Sequence, residues 1–220
     1  GRVIGIDHVT DLALIAFDAT MPAAELATES APPRASVWIV GAPVRTRADP
    51  WISAGVVSSI DAIGAIASGP TTDGLLETDA NNGENSTGGA LVDDHGRVAG
   101  IVIGPVSGSA TVYAVPIEMA AAIAQELHAT GHAEHGSMAM QGVDGAKGPT
   151  IVRLAANGPA AKAGVRTGDV VIAVGGHPVD TMMAVLARVR GRNPGSSVDL
   201  EVRRGTKDLR LHVQLAATSS

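Results

Sequence analysis

The sequence contains no cysteine and very few aromatic residues, and both absences restrict what the chain can be. Because none of its 220 residues is cysteine, disulfide-stapled folds, thiol nucleophiles and thiolate metal sites are excluded. Aromatic residues make up 2% of the chain, so the core must be built from Val, Ile, Leu, Ala and Met, which suits short strands. No cofactor is predicted.

Long hydrophobic runs and an excess of positive charge are also lacking. No stretch of about eighteen apolar residues occurs, so no transmembrane segment is predicted in this chain, and its first residues do not resemble a signal peptide. The formal net charge is −6, which argues against nucleic acid as a partner because a phosphate-binding surface concentrates Lys and Arg. The arginines between residues 188 and 204 are more simply a solvated face.

The chain does contain a change of hydrophobic pattern near its middle. Short Val/Ile/Leu runs separated by Gly, Pro, Asn and Asp predict a series of strands, typical of a barrel or sandwich. They cover residues 3–6, 12–17, 36–40, 55–60, 75–78, 90–92, 98–103 and 111–115. From Pro116 the apolar residues recur at helical spacing until Gly131 ends the predicted helix. At this length, two small cores are possible.

Residues 132–136 are predicted to form a linker, after which a second unit begins. Its predicted strands cover residues 137–141, 150–154, 170–174, 198–202 and 209–213. A short helix is predicted over residues 159–163 and a longer one over residues 181–190. Asp180 is the predicted N-cap of the longer helix, because its carboxylate can accept the unpaired N–H groups of the first turn.

A Gly/Asn-rich segment in the first unit carries the most specific chemical signal. It consists of Thr-Asp-Ala at 78–80, Asn-Asn-Gly-Glu-Asn at 81–85, Ser-Thr-Gly-Gly at 86–89 and then Ala-Leu-Val. Glycines in such a turn let backbone N–H groups approach a substrate and stabilise an oxyanion. The segment is similar to the signature around the nucleophile of HtrA-type, trypsin-fold serine proteases: Thr-Asp-Ala, a short turn, Gly-Asn-Ser-Gly-Gly and Pro-Leu-Val.

This resemblance places Thr87 in the nucleophile position, while Ser86 stands one residue early and is expected to point elsewhere. Asn85 stands where the family has a Gly, so the resemblance implies an oxyanion hole formed by the N–H groups of Asn85 and Thr87. The extra methyl group of threonine stiffens its side chain, and an internal threonine lacks the terminal amine that usually serves as its base. We therefore expect Thr87 to be inert.

Flanking segments extend the resemblance over nearly the whole chain. Residues 5–15 resemble the strand that carries the triad aspartate, which would be Asp11; a surface aspartate at the start of a strand is the alternative. The family places its triad histidine many residues earlier, and only ten residues precede Asp11. His8 is too close to Asp11 to act across the cleft. The resemblance implies a mainly β, trypsin-like barrel over residues 1–131, N-terminally truncated and without the general base.

Three other histidines, His128, His132 and His135, invite a metal-site interpretation because helical spacing can present two ligands on one face. Gly131 and Gly136 interrupt that spacing, and no carboxylate ligand is evident beyond Glu134. No metal site is predicted.

Residues 137–217 resemble a PDZ domain, which is an α+β fold. The segments Asn-Gly-Pro-Ala-Ala-Lys-Ala-Gly-Val at 157–165 and Gly-Asp at 168–169 match its pattern. PDZ domains bind an extended peptide C-terminus by strand addition, and a loop of backbone N–H groups holds the carboxylate. The resemblance implies that residues of one loop and of the opposing helix bind the peptide. They are Ser137, Met138, Ala139, Met140, Met183 and Leu186.

In that loop Ala139 replaces the usual Gly, which would be strained if the position needs a positive φ. A methionine-lined groove would adapt to varied apolar side chains. The alternative for Met138 and Met140 is that both pack in the core.

The resemblance implies an HtrA-like protease relative that is catalytically inactive in this form and binds peptide or protein C-termini in the cell envelope. One alternative is a serine endopeptidase of envelope protein quality control, with Thr87 in place of serine and its histidine further upstream. A second alternative is a structural remnant without a ligand. Because HtrA-like trimers assemble through N-terminal protease segments, we expect this chain to be monomeric, with a trimer possible for an intact one.

Overall fold

The computed structural model describes residues 1–28, 31–43, 49–65, 71–83, 85–105 and 111–219. The chain divides into two compact units, the first including Gly1–Pro70 and Gly74–Ala133 and the second including Glu134–Ser220. Within the described ranges, no helix is long and apolar enough to cross a membrane.

The first unit consists mainly of antiparallel strands. They are β1 (Arg2–Asp7), β2 (Leu12–Ala16), β3 (Ser36–Gly41), β4 (Trp51–Ala65), β5 (Thr71–Thr78), β6 (Ala90–Asp93), β7 (Val98–Pro105) and β8 (Val112–Pro116). Strands β1 and β2 form a hairpin, whereas β3 to β8 close into a barrel in the order β3-β4-β5-β8-β7-β6. Helix α1 (Ile117–Thr130) follows and ends at Gly131 in the left-handed conformation, as expected.

Aliphatic side chains fill the interior of the barrel because alternate residues of a strand face the same side. Val37 and Ile39 of β3 and Leu91 of β6 are fully buried there. The hairpin packs on α1 so closely that a Cβ on Gly5 would lie 2.5 Å from the carbonyl oxygen of Gly131.

The second unit combines a sheet with two helices. Its elements are β9 (Glu134–Ser137), β10 (Met140–Gly145), β11 (Gly148–Leu154), α2 (Pro159–Lys162), β12 (Val170–Val174), β13 (His177–Pro178), α3 (Met182–Arg190), β14 (Ser197–Arg204), β15 (Lys207–Gln214) and β16 (Ala216–Ser219). The main sheet runs β10-β11-β12-β14-β15, with β13 paired to β12, and β9 pairs with β16. Strand β10 is therefore an edge strand, with β11 on one side.

The predicted linker at residues 132–136 is wrong in its second half. Glu134–Ser137 form β9, which pairs antiparallel with β16. Its partner lies some eighty residues away in the chain, at the C-terminus, so local sequence pattern carried no sign of the pairing. The strand predicted at 137–141 is also interrupted, because β10 starts only at Met140.

The N-cap of α3 differs from the prediction as well. Thr181, and not Asp180, is the N-cap: its Oγ1 accepts a hydrogen bond from the N–H of Ala184 at 3.1 Å. Both residue types are good caps, and the pattern could not decide between neighbours.

A buried carboxylate stabilises the start of β12. The side chain of Asp169 is 1% exposed and accepts hydrogen bonds from the guanidinium of Arg204 and from the N–H of Arg166, each at 2.8 Å. Burial alone would raise the pKa of Asp169, but the hydrogen bonds and positive charges of its partners outweigh burial, and the net pKa is lowered.

Candidate functional site

Thr87 lies in the turn formed by residues 81–89, of which Glu84 lies outside the described residues. The segment that precedes this turn is hydrogen-bonded to β4. The hydroxyl of Thr78 donates to the carbonyl oxygen of Val56 at 2.9 Å, and the carboxylate of Asp79 accepts from the N–H of Val56 at 2.7 Å. We call residues 81–89 the nucleophile turn. The Thr-Asp-Ala motif thus holds the entry to this turn, a role that the sequence did not reveal.

Two glycines permit this close packing. A Cβ on Gly55 would lie 2.4 Å from the nitrogen of Ala80, and a Cβ on Gly83 would lie 2.1 Å from the indole ring of Trp51. Real Cβ atoms do not approach other atoms this closely, so neither position accepts a side chain without backbone movement. A glycine inside a strand pattern is the signal that could have indicated the contact at Gly55.

Ser86 and Thr87 point in different directions. Ser86 is 1% exposed, and its hydroxyl lies 2.6 Å from Oδ1 of Asn82 and 2.7 Å from the carbonyl oxygen of Gly83. Thr87 is exposed, and its Oγ1 would lie 2.8 Å from a Cβ placed on Gly104 of β7. Of these two residues, only Thr87 is therefore exposed.

Asn85, which stands where the resemblance expects glycine, has a left-handed backbone. Its φ is 61°, in the left-handed region, which asparagine tolerates better than other residues with a side chain. Its carbonyl oxygen accepts from the N–H of Ala42 at 3.0 Å, and the N–H of Gly88 donates to the carbonyl oxygen of Val102 at 2.7 Å. These two backbone hydrogen bonds therefore hold the chain on either side of Ser86 and Thr87.

A general base beside Thr87 is not evident. Among the described residues, no histidine is hydrogen-bonded to Thr87. The seven histidines lie in the β1–β2 turn (His8), the β6–β7 turn (His95), α1 and the residues after it (His128, His132), β9 (His135), β13 (His177) and β15 (His212).

Asp11 lies in the turn between β1 and β2, exposed, with a φ of 58°. The buried carboxylate of this turn belongs instead to Asp7, which accepts hydrogen bonds from the hydroxyl of Thr10 and from the N–H of Val9. Asp7 is a structural residue that the sequence interpretation missed.

In the second unit, a groove with a cavity of about 570 Å³ lies between β10 and α3. The predicted carboxylate loop, residues 137–140, forms one end of it. Residues that line the groove include Ser137, Met138, Ala139, Met140, Leu186 and Arg190. Met138 and Met140 are also buried in the core of the unit, so they serve both packing and groove. Met183 is 53% exposed and is not among the described residues that line this groove.

The backbone of the carboxylate loop is held by hydrogen bonds and contains one left-handed residue. Ala139 has a φ of 53°, and the carbonyl oxygens of Met138 and Ala139 accept from the N–H groups of Ala160 and Ala155 at 3.0 and 2.9 Å. With these carbonyls engaged elsewhere and one residue left-handed, neighbouring N–H groups can converge on one ligand. The N–H of Ala139 donates to the hydroxyl of Ser137 at 3.1 Å.

The groove is closed behind Gly142 by a methionine. A Cβ on Gly142 would lie 2.0 Å from Cε of Met182, so the thioether of α3 occupies the space that a side chain on β10 would take. The N–H of Met182 donates to the carboxylate of Asp144 at 2.5 Å, which ties the start of α3 to β10.

The described residues contain one group of potential metal ligands, Asp93, Asp94 and His95 in the β6–β7 turn. Asp93 accepts hydrogen bonds from the N–H of His95 and from the backbone and guanidinium of Arg97, all at 2.9 Å. Burial alone would raise the pKa of Asp93, but these bonds lower it. The carboxylate of Asp93 is therefore already engaged in stabilising the turn.

Comparison with known families matches both units. Residues 1–101 match the trypsin-like peptidase domain and residues 133–215 match the PDZ domain. Among curated proteins, the serine protease PepD of Mycobacterium tuberculosis is 30% identical over 90% of this chain, and the periplasmic pH-dependent serine endoprotease DegQ of Escherichia coli is 27% identical over 76%. The chain spans 47% and 40% of their lengths, respectively.

Solved structures agree on the fold. The match to the HtrA-type protease AlgW with a tripeptide has a TM-score of 0.67 and 24% sequence identity, and it covers 99% of this chain and 77% of the AlgW chain. A serine endoprotease from Yersinia pestis has a TM-score of 0.61 and 24% identity, and covers 98% of this chain and 75% of its own.

Proposed function

Because the chain belongs to the HtrA-like relatives of trypsin-fold proteases that carry a PDZ domain, we propose that it binds peptide or protein C-termini in the groove between β10 and α3 and does not cleave them. The observation that carries this proposal is the left-handed Ala139 at the start of an open edge strand. A peptide can add to that strand while its carboxylate meets the loop N–H groups.

The groove has both apolar and positively charged residues in its lining. Leu186, Val189 and Arg190 of α3 line it together with Met138 and Met140. The carbonyl oxygen of Arg190 lies 3.2 Å from the ring of His135, just before the carboxylate loop, and we infer that its guanidinium reaches the carboxylate end. A guanidinium beside a carboxylate forms a charge-assisted interaction that is stronger than one between neutral groups. The last residue of the ligand would therefore be apolar and carry a free carboxylate.

The absence of cleavage is proposed for these 220 residues. Attack by a hydroxyl needs a base that removes its proton, and loss of that base lowers the rate by several orders of magnitude. Thr87 has no histidine hydrogen-bonded to it within the described part of the chain, and its extra methyl group restricts the rotation of its side chain.

A second candidate function is a serine-type endopeptidase. It is favoured by the preserved frame of the nucleophile turn, in particular the exposed Thr87 and the left-handed Asn85. Its test is hydrolysis of a quenched fluorescent casein by the wild type and by Thr87→Ala. We expect both to match the buffer blank; turnover that disappears in Thr87→Ala would establish the peptidase.

Binding is tested by fluorescence polarisation with a labelled decapeptide ending in leucine, as free acid and as amide. We expect the free acid to bind and the amide to bind at least tenfold more weakly. Leu186→Asp should abolish binding by placing a charge in the groove, whereas Thr206→Asp, an exposed turn position, should not. Equal binding of acid and amide would refute recognition of the carboxylate.

Location and assembly are proposed from the relatives. The names of DegQ and DegP describe them as periplasmic, and we propose an extracytoplasmic location in the cell envelope for this protein. We also propose that this chain is monomeric. Multi-angle light scattering checks the second point, and a trimer mass would contradict it.

A further inference from the structure

Helix α3, which forms one side of the peptide groove, is hydrogen-bonded at both ends to the strands on either side of the carboxylate loop. At its start, the N–H of Met182 donates to the carboxylate of Asp144 in β10 at 2.5 Å. Just after its end, the carbonyl oxygen of Arg192 accepts from the N–H of Gly136 in β9 at 2.8 Å. The position of α3 relative to β10 therefore depends on Asp144 at one end of the helix only.

A carboxylate is well suited to the start of a helix. The first N–H groups of a helix have no partner inside it, and the positive end of the helix dipole attracts a negative charge. Thr181 satisfies one of these groups, the N–H of Ala184, from the neighbouring segment. Asp144 accepts from the N–H of Met182 although it lies 38 residues earlier in the chain, so its hydrogen bond connects β10 and α3, the two sides of the groove.

A close contact at the same end of α3 leaves little freedom in this connection. A Cβ on Gly142 would lie 2.0 Å from Cε of Met182, so β10 and the start of α3 approach one another more closely than a side chain at this position would allow. Gly142 lines the groove, and the side chain of Met182 is buried in the core of the unit. A shift of the start of α3 would therefore change the groove beside Gly142.

Asp144 lies at the end of β10 that is remote from the carboxylate loop. Because a strand rises about 3.3 Å per residue, Asp144 is about 13 Å along β10 from Met140. A peptide that adds to β10 with its carboxylate at the loop runs antiparallel to β10. Its last three residues then lie beside residues 140–142, and its fifth-from-last residue is the first to reach Asp144.

We propose that Asp144 is a positioning residue of the peptide groove, which holds the start of α3 at the distance from β10 that admits the peptide residues upstream of the last three. This inference rests on the proposed binding of C-termini. Without the carboxylate, the start of α3 loses its hydrogen bond to β10, while its other end stays bonded to β9. The loss of affinity is confined to longer peptides, because a tripeptide does not reach that end of the groove.

The test is displacement of a labelled decapeptide ending in leucine, followed by fluorescence polarisation. The two unlabelled competitors are the same decapeptide and its last three residues alone. We expect Asp144→Ala to weaken the decapeptide about three- to fivefold, the size of the interaction between a carboxylate and a helix N-terminus, and the tripeptide less than about twofold. Asp144→Asn keeps an acceptor oxygen at the same place and should bind the decapeptide within about twofold of the wild type.

Two further variants separate positioning from loss of charge and loss of stability. Asp208→Ala removes an exposed carboxylate from β15, at the opposite edge of the main sheet. Asp169→Asn removes the buried carboxylate just before β12. Both variants should bind the two competitors as the wild type does, and urea denaturation of every variant verifies that it is folded. A selective loss of the decapeptide in Asp169→Asn would assign the effect to stability and overturn the proposal.

Equal weakening of both competitors by Asp144→Ala, or no weakening of either, would also overturn the positioning role, as would an Asp144→Asn variant that binds no better than Asp144→Ala. The amidated decapeptide separates these outcomes from failure of the proposed function. If amidation leaves the affinity of the wild type unchanged, recognition of C-termini fails, and the positioning role fails with it. If amidation weakens binding and Asp144→Ala has no selective effect, only the positioning role fails.

Discussion

The nucleophile turn and the carboxylate loop make the same substitution with different consequences. Each has a left-handed residue where the family has glycine: Asn85 with a φ of 61° and Ala139 with a φ of 53°. The turn has to supply reacting groups, namely a nucleophile, a base and an oxyanion hole. The loop has to supply only backbone N–H groups and an apolar wall.

On the proposed function, this difference leaves the turn without its chemistry and the loop with its geometry. Thr87 stands in place of serine and no histidine among the described residues is hydrogen-bonded to it, so the proposal expects no reaction, however well the backbone is held. A site built on the main chain tolerates a change of side chain, provided that the new residue accepts the required φ. The predictions below probe how firmly each backbone is held, in order of decreasing effect.

The largest effect is expected for Gly55→Ala. Its new Cβ would lie 2.4 Å from the nitrogen of Ala80, so the segment leading to the nucleophile turn must move, at a cost of about 3 kcal/mol in the free energy of unfolding of the first unit. Urea denaturation followed by circular dichroism measures it. Gly88→Ala is the comparison: no atom lies within 4 Å of its Cβ, so only its left-handed φ of 79° opposes the change, at about 1 kcal/mol. An equal loss in both variants would contradict a rigid contact between Gly55 and Ala80.

Asp169→Asn should destabilise the second unit by about 2 kcal/mol at pH 7, because it leaves Arg204 without its carboxylate partner. The pKa of Asp169 is lowered below its ordinary 3.8 in the folded state. The stabilisation is therefore fully present above that value and is lost as the pH falls through the folded-state pKa.

The gap in thermal stability between wild type and Asp169→Asn should thus narrow on acidification below about pH 4. Asp208→Asn removes an exposed ion pair, in which Asp208 is 53% and Arg203 is 51% exposed, and should change stability far less than Asp169→Asn. A gap that stays constant down to pH 2 would show that the carboxylate is not the source of the stabilisation.

Arg190→Ala should weaken binding of a free-acid peptide about fivefold, which corresponds to about 1 kcal/mol. Binding of the amidated peptide should hardly change, since it has no terminal charge. Titration by fluorescence polarisation at two salt concentrations checks this, because the loss should shrink at high salt. Equal losses for acid and amide would assign Arg190 a packing role.

The smallest effects are expected when each of the two left-handed residues is replaced by glycine. Ala139→Gly should stabilise the second unit by about 0.5–1 kcal/mol, because relief of left-handed strain exceeds the entropy cost of glycine. Asn85→Gly should lie within about 0.5 kcal/mol of the wild type, since asparagine already tolerates that conformation. A larger gain for Asn85→Gly than for Ala139→Gly would reverse the comparison.

Local sequence patterns predicted most of the fold, and the mainly β prediction of a trypsin-like barrel followed by a PDZ domain is confirmed. The spacing of the apolar residues and the positions of the turn residues predicted the strands and helices, because both signals depend on residues that are neighbours in the chain. These patterns did not predict β9, because its partner β16 is distant in the chain. They also misplaced the N-cap of α3, because Asp180 and Thr181 are both suitable caps.

The candidate sites were less predictable for a related reason. Motif spacing predicted that Thr87, and not Ser86, occupies the nucleophile position. In the structure, the buried hydroxyl of Ser86 is hydrogen-bonded within the turn. The bulge at Val152 could not be found from sequence, because it depends on the pairing of β10 with β11. The roles of Asp11, Thr87 and the carboxylate loop stay predictions.

One measurement tests the central claim that this chain holds C-termini without cutting them. A labelled decapeptide ending in leucine is incubated with the protein, and polarisation and peptide mass are followed together over several hours. The account predicts a rise in polarisation for the free acid and not for the amide, with the peptide mass unchanged. Peptide fragments that are absent with Thr87→Ala, or equal polarisation for acid and amide, would contradict it.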